Sequence, residues 1–400
     1  MVWVRSTHVD MPHQLGDWLA DLESETRRAQ LREHAERVTQ ISEQAKQPQL
    51  AVKGKEMVEI LIALNLDQES LIAALYSPLY EAQLITAEQA STWGGAALPE
   101  LLNAIQQMQT ISALQHFQRG KPNQTQIDNV RRMLLAMVTD IRAVLIKLAE
   151  RICFLREVKL LDEESRVLAA KECHEIYAPL ANRLGIGQLK WELEDLAFRY
   201  LHPTTYKTIA AQLLERRIDR EQYIAEFVKL LQQKLNDEGV EATVYGRPKH
   251  IYSIWRKMQK KGLSFEQVYD IRAVRIITAS LKDCYAALGV VHSLWKHIGS
   301  EFDDYIATPK ANGYQSIHTV VYGPEDKHVE IQIRTQAMHD DAELGVAAHW
   351  RYKEGTGVGK GSGLEDKIAW LRKLLAWQED MAGYDGLVDE TRSQVFDDRV

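Results

Sequence analysis

The feature that most constrains this chain is a change of hydrophobic period at Gly239. Before it, apolar residues recur at steps of three and four. In "DNVRRMLLAMVTDIRAVLIKLAERICFLREV", Met133, Leu134, Met137, Ile141, Val144, Leu145, Leu148 and Ile152 form one stripe, wide enough to bury. "ESRVLAAKECHEIYAPLANRL" and "REQYIAEFVKLLQQKLNDEG" repeat the pattern, the second halting at Gly239 as a C-terminal cap would. Polar breaks near residues 45–50, 119–126 and 201–206 separate the helical stretches. After Gly239, "EATVYG", "DIRAVRIITA", "HTVVYG" and "KHVEIQIRT" alternate with period two and are rich in Val and Ile, which predicts strands. The pattern requires a helical first half and then an α+β sheet domain of about 130 residues.

Composition narrows the class. Four hundred residues, 45% hydrophobic, supply the cores of two or three domains. No apolar run approaches the roughly 18–20 residues of a membrane span, and "MVWVRSTHVDMPHQ" lacks the apolar core of an export signal. Cys153, Cys173 and Cys284 are far apart and form no CxxC pair, which fits a reducing cytosol. A net charge of -7 makes the chain a poor general binder of nucleic acid.

Against that acidic background, "GRPKHIYSIWRKMQKKG" (246–262) holds six Lys/Arg residues and no acid. Pro248 suits a first turn and Gly262 the residue past the end, so a helix is expected over 249–261. Lys249, Ser253, Arg256, Lys257 and Lys260 fall in one sector, with Ile251, Ile254, Trp255 and Met258 opposite. The apolar face is expected to dock on the sheet and the basic face to point outward. A charge run is usually a solvated face, but solvated helices mix signs. Closely set cations need a polyanion, and a triphosphate has the right size.

The strands supply acids. In "VEIQIRT", Val329, Ile331 and Ile333 alternate with Glu330, Gln332 and Arg334, so one face is core and the other presents Glu330 with Gln332. Asp270 opens "DIRAVRII". Two strand carboxylates facing a basic helix suit metal-assisted phosphoryl chemistry, in which they hold Mg²⁺ and take a proton from an attacking hydroxyl. "TPKANGYQSIHT" (308–319) has the make-up of a binding loop: Lys310 offers charge, Asn312 and Gln315 offer amides, and Tyr314 an exposed ring able to stack on a base. Tyr314 packing on its neighbours and His318 as a core imidazole are the bland readings of the same residues. "EGTGVGKGSG" (354–363) is no P-loop, because Glu354 and Gly361 stand where Gly and Ser/Thr are required. It reads as a linker before the amphipathic helix "LEDKIAWLRKLLAWQEDM".

"YGRPKHIYSIWRKM", "YDIRAVRI", "NGYQSIHT", "VEIQIRT" and "MHDDAELGVAAHWRYK" together resemble the synthetase domain of the long RelA/SpoT stringent-response enzymes, the ATP:GTP pyrophosphokinases that make (p)ppGpp. The resemblance implies an α-helical HD-like amino-terminal domain and an α+β nucleotidyltransferase-like synthetase domain with a mixed β-sheet. Domains are expected at 1–160 (HD-type), 161–238 (helical connector), 239–355 (synthetase) and 356–400 (linker and C-terminal helix). It further implies Asp270 as a metal-binding aspartate and Glu330 as the residue that binds metal or activates the 3′-hydroxyl. Arg247, Lys249, Ser253, Lys257 and Arg275 match ATP-side positions. Lys310, Asn312, Tyr314, Gln332 and His318 match the GTP/GDP side, with Tyr314 stacking on guanine. Strict alternation places Arg275 on the opposite strand face from Asp270, so a bulge or twist is expected to bring it round. The implied reaction is attack of the acceptor 3′-oxygen on the β-phosphorus of ATP, releasing AMP.

The amino-terminal half departs from the family's Mn²⁺-dependent hydrolases. Where these carry an upstream histidine, a His-Asp pair, an acidic neighbour, a later aspartate and an asparagine, this chain has Lys53, Ser77, Pro78, Ala82, Glu150 and Phe154. An inactive hydrolase is expected. His339 and Glu343 share a helical face near His349, a weak candidate for a second metal site. Glu301, Asp303 and Asp304 in "EFDDYI" resemble the synthetase-only branch and its lean toward GDP. The resemblance implies a cytoplasmic protein, with ribosome and uncharged tRNA as partners of the full-length family member through regions beyond residue 400. Two alternatives stay open: a different metal-dependent nucleotidyltransferase, and a non-catalytic regulatory homologue.

Overall fold

Side chains that take up the free N–H groups of a first turn set where the helices begin. The computed structural model describes residues 19, 22, 24–108, 140–215, 217–247, 250–262, 264–265, 272–310 and 312–345, in two units divided between Cys153 and Phe154. The expected linker and C-terminal helix, His349, and two site residues, Lys249 and Asp270, lie outside the described residues.

The first unit is helical. It contains α1 (Glu25–Gln44), α2 (Gln49–Ala63), α3 (Gln68–Glu81), α4 (Ala87–Gly94), α5 (Ala97–Gln107) and the start of α6 (Ile141–Glu157). Ser24 and Asp67 cap α1 and α3, and Thr86 with Gln89 forms a capping box on α4. Pro78 lies inside α3 and has no N–H for the carbonyl four residues back. The Ser77 hydroxyl donates to that carbonyl, Ala74 O, at 3.2 Å.

In the second unit, Asp162 caps α7 (Glu163–Glu172), and a π-turn at Cys173–Tyr177 leads into α8 (Ala178–Arg183). Helices α9 (Gly187–Leu201), α10 (Pro203–Glu215) and α11 (Arg217–Asp237) follow. The break expected near 201–206 is a single residue, His202, because Pro203 opens a helix as readily as it ends one. Helix α11 stops as its glycine predicts: Gly239 has φ +70°, and Val240 N donates to Leu235 O at 2.9 Å.

The sheet has five strands: β1 (Ala242–Arg247), β2 (Ala273–Thr278), β3 (Asp303–Asp304), β4 (Ile317–Tyr322) and β5 (His328–Thr335), in the order β1-β2-β5-β4-β3. Strands β2 and β5 run parallel and the other pairs antiparallel, so the sheet is mixed as expected. One face carries Val244, Val274, Ile276, Ile331 and Ile333 into a core with Phe227 of α11 and Ala287 of α13 (Leu281–Leu294).

Helix α12 (Ile251–Lys261) corrects two expectations. Its first helical residue is Ile251 rather than 249, with His250 extended at the N-cap and Gly262 left-handed at the end. Its apolar face docks on helices and not on the sheet: Ile251 and Ile254 pack with Phe198 of α9 and with Tyr206 and Ile209 of α10. Trp255 lies 4.7 Å from the Phe198 ring. Among the described residues, no helix is long and apolar enough to cross a membrane.

Candidate active site

Alternation along four strands directs the polar side chains to the sheet face opposite the core. The register aligns Tyr245, Arg275, Gln332, His318 and Asp303 in one row across the sheet. It aligns Arg247, Ala273, Glu330 and Val320 in another. Arg275 therefore shares a face with Glu330, while Asp270, relative to which a bulge or twist was expected, lies outside the described residues. Arg247, Arg275, His318, Glu330, Gln332 and Arg334 are all buried, so this polar face is covered like a core.

The carboxylate is held among hydrogen bonds. Gln332 Nε2 donates to Glu330 Oε1 at 3.1 Å, and His318 Nδ1 lies 3.9 Å from the same oxygen. The Tyr314 hydroxyl lies 2.8 Å from His318 Nε2. The loop before β4 is shaped for this: Asn312 Oδ1 accepts from Tyr314 N at 3.1 Å, and Gly313 adopts φ +81°. The Tyr314 ring is half-buried and not exposed as expected, with Lys310 Nζ 5.5 Å from its centroid and Tyr305 edge-on. Asn312 spends its oxygen on the turn. His318 is buried, yet both ring nitrogens face polar partners.

Cations converge from the other side. Arg247 lies over the Trp191 ring at 4.9 Å, and burial lowers its pKa to about 10, with neighbouring Arg275 adding to the shift. Among the described residues, Arg247 Nη1, Arg275 Nε and Gln332 Oε1 are buried without a hydrogen-bond partner. Such groups are costly unless something binds them. Ser253 and Lys257 are half-buried on α12. Lys257 Nζ is 3.7 Å from Glu301, so the acidic segment supplies the counter-charge that the basic helix lacks. Asp304 instead builds its own turn, accepting from Ile306 N and Ala307 N at 2.9 Å.

Several supporting residues were not legible in the sequence. Asp195 of α9 accepts from Ile251 N at 3.3 Å and Tyr252 N at 2.7 Å, capping α12 from 56 residues away. Trp191, one turn earlier, stacks on His250 and carries Arg247. Arg334 had a signal, since its spacing in "VEIQIRT" puts it on the face of Glu330. The His339–Glu343 pair, on α14 (Gln336–Leu344), serves arginines. Arg334 Nη2 lies 2.8 Å from His339 Nδ1, which must accept because a guanidinium only donates. Burial and Arg334 lower the His339 pKa to about 4. Among the described residues, no three His, Cys, Asp or Glu side chains gather as a metal site.

In the first unit, two of the expected hydrolase positions, Lys53 and Glu150, meet in a buried ion cluster. Lys53 Nζ lies 2.6 Å from Glu150 Oε1, Lys147 Nζ 2.9 Å from Oε2, and Arg151 Nε 2.7 Å from Oε2. Burial opposes ionisation of Glu150, but Arg151, Lys147 and Lys53 outweigh it and hold its pKa well below the usual carboxylate value. Ser77 and Pro78 are buried on α3, Ala82 follows its last turn, and Phe154 lies on α6 one turn past Glu150.

Two families match this chain. RelA_SpoT, described as "Region found in RelA / SpoT proteins", covers residues 246–357, and HD_4, "HD domain", covers residues 30–187. A GTP pyrophosphokinase of Escherichia coli K12 is 62% identical over 87% of this chain and 47% of its own length. A probable guanosine-3′,5′-bis(diphosphate) 3′-pyrophosphohydrolase of Synechocystis is 41% identical over 85% of this chain and 44% of its own. The chain thus spans about half the length of the curated relatives it matches. A small alarmone synthetase 1 from Bacillus subtilis, solved with its product pppGpp, is 25% identical over 42% of this chain and 99% of its own, with a TM-score of 0.28. The chain therefore carries an HD domain followed by the region found in RelA/SpoT proteins, consistent with a long RelA/SpoT homologue.

Proposed function

We propose that this chain transfers pyrophosphate from ATP to the 3′-hydroxyl of GDP or GTP, forming (p)ppGpp. The observation that carries the reading is the buried polar face, where Arg247 Nη1 and Arg275 Nε lack partners among the described residues, beside Glu330. Guanidinium groups fixed before the substrate arrives neutralise phosphate charge without reorganising. Glu330, oriented by Gln332 and His318, is the base that takes the proton from the acceptor 3′-oxygen. That oxygen bonds to the β-phosphorus as the bond from the β-phosphorus to the bridging oxygen breaks, and AMP leaves with that oxygen. Tyr314 and Lys310 form the acceptor side, and Ser253, Lys257 and Lys249 the donor side.

Mg²⁺ binds through one or two carboxylates together with substrate phosphates. Glu330 with Asp270 is a donor set that fits it, and the ion would supply neutralising charge on the phosphates. The acidic segment at Glu301 and Asp303 favours GDP in this reading. Ribosomes and uncharged tRNA enter as stimulators.

The HD domain is, on the same reading, an inactive hydrolase. What supports this is Lys53, whose ammonium bonds Glu150 where a metal would need a neutral or anionic ligand. Mn²⁺-dependent release of pyrophosphate from (p)ppGpp by the purified chain would show otherwise.

The decisive assay for synthesis uses γ-labelled ATP with GDP or GTP, Mg²⁺, and thin-layer separation, with and without ribosomes. Label on the guanine nucleotide is expected. Label confined to ATP and free phosphate in every condition overturns the proposal.

A further inference from the structure

We propose that Glu343 is a positioning residue for the pyrophosphate donor, one whose carboxylate aims the Arg275 guanidinium along the polar face while Arg334 anchors that carboxylate. The inference rests on reading this face as the polyphosphate site. Glu343 Oε1 accepts from Arg275 Nη1 at 2.9 Å and from Arg334 Nη2 at 2.8 Å.

The two arginines differ in what they can reach. Arg334 is 0% exposed, so it cannot meet a ligand arriving from solvent, and its charge is matched within the protein. Each keeps a buried Nε without a partner among the described residues, and Arg275, 5% exposed, is the one nearer solvent. A guanidinium is planar and rigid, so tying Nη1 to Glu343 also sets where Nε–H points. The Tyr245 ring, 5.9 Å from the Arg275 guanidinium carbon, packs along the same side chain.

The backbone beneath Glu343 is fixed as well. Gly345, at φ +53°, lies so close to the turn before α9 that a Cβ there would overlap the Leu184 carbonyl oxygen. A Cβ at Gly187 would stand 2.6 Å from Ala342 O. These close approaches pack the end of α14 tightly against the turn before α9, with Glu343 beside Arg275. Arg247, Arg275 and Arg334 stand against Glu330 and Glu343 on this face, with Asp303 at the end of the Arg275 row.

The test is a double-mutant cycle read by steady-state kinetics of the whole chain. Glu343→Gln should raise the ATP KM about tenfold, with the acceptor KM and kcat within about threefold, the pattern of lost ground-state binding. In an Arg275→Gln background the same change should add less than about twofold. An unchanged or lowered ATP KM overturns the proposal, the latter by making Glu343 a competitor of phosphate. Equal effects in both backgrounds also overturn it. If Glu343→Gln loses its melting transition, Glu343→Asp keeps the charge and withdraws it by one methylene, and the same ATP-selective rise is expected. If the wild-type chain moves no label to guanine nucleotide, the functional reading fails by itself. Calorimetric binding of ATP then decides this one, and an unchanged Kd in Glu343→Gln contradicts it.

Discussion

The Tyr314 hydroxyl and His318 Nε2 lie 2.8 Å apart, and the other nitrogen of that imidazole faces the Glu330 carboxylate at 3.9 Å. The acceptor loop is thereby wired to the proposed base. Ring and hydroxyl of Tyr314 have separable duties. Tyr314→Phe keeps the ring and should lower kcat about tenfold, with the acceptor KM within about twofold. Tyr314→Ala should raise the acceptor KM by about 10- to 100-fold, the worth of one stacked base. Initial rates at varied GDP separate the two; identical effects would merge the roles.

Glu330 can be tested without disturbing its shape. Glu330→Gln is isosteric, so the melting temperature should hold while kcat falls by about 10²- to 10⁴-fold, as for loss of a general base. Near-normal turnover would remove Glu330 from the chemistry.

Glu150 concerns the first unit. Glu150→Gln leaves Lys53, Lys147 and Arg151 without their shared carboxylate, a loss of about 3–5 kcal/mol typical of broken buried ion pairs. Lys53→Met leaves the carboxylate two cations and should cost less, about 1–2 kcal/mol. Denaturant unfolding of the full chain ranks them, and the reverse order would show that Lys53 carries the cluster.

The sequence and the structure diverge where contacts span distance. Four of the five strands and the pairing of Glu330 with Gln332 on one face follow from a period of 2, and the Gly239 stop from a glycine cap, all of them local; β3, Asp303–Asp304, is too short to show a period. The alternation that placed Glu330 also placed Arg334. What covers that face is not local. Helix α12 reads as amphipathic, but its apolar side meets Phe198 and Tyr206 and not the sheet, because partners are chosen by topology. Asp195 capping Tyr252 N, and Trp191 beneath Arg247, join residues more than fifty apart. Pro248 and Gly262 bracketed the basic helix usefully, yet an extended His250 begins it two residues late.

Acid should act through Glu343. Burial opposes its ionisation, but Arg275 and Arg334 outweigh that and bring its pKa from 4.5 to about 2. A carboxyl with a depressed folded pKa stabilises the fold above its unfolded pKa, and that contribution fades as pH falls through the folded value. Wild type and Glu343→Gln should therefore differ most in stability above about pH 4.5 and converge toward pH 2. Melting curves across that window check the sign; a gap that widens on acidification would contradict it.

The central claim is that this polar face moves a pyrophosphoryl group, and parallel reactions with α- and γ-labelled ATP test it most directly. With GDP and Mg²⁺, the γ label should appear on the guanine nucleotide while the α label is recovered in AMP. An α label on the acceptor would make the chain a nucleotidyltransferase, and no transfer of either label, with ribosomes present, would contradict the account altogether.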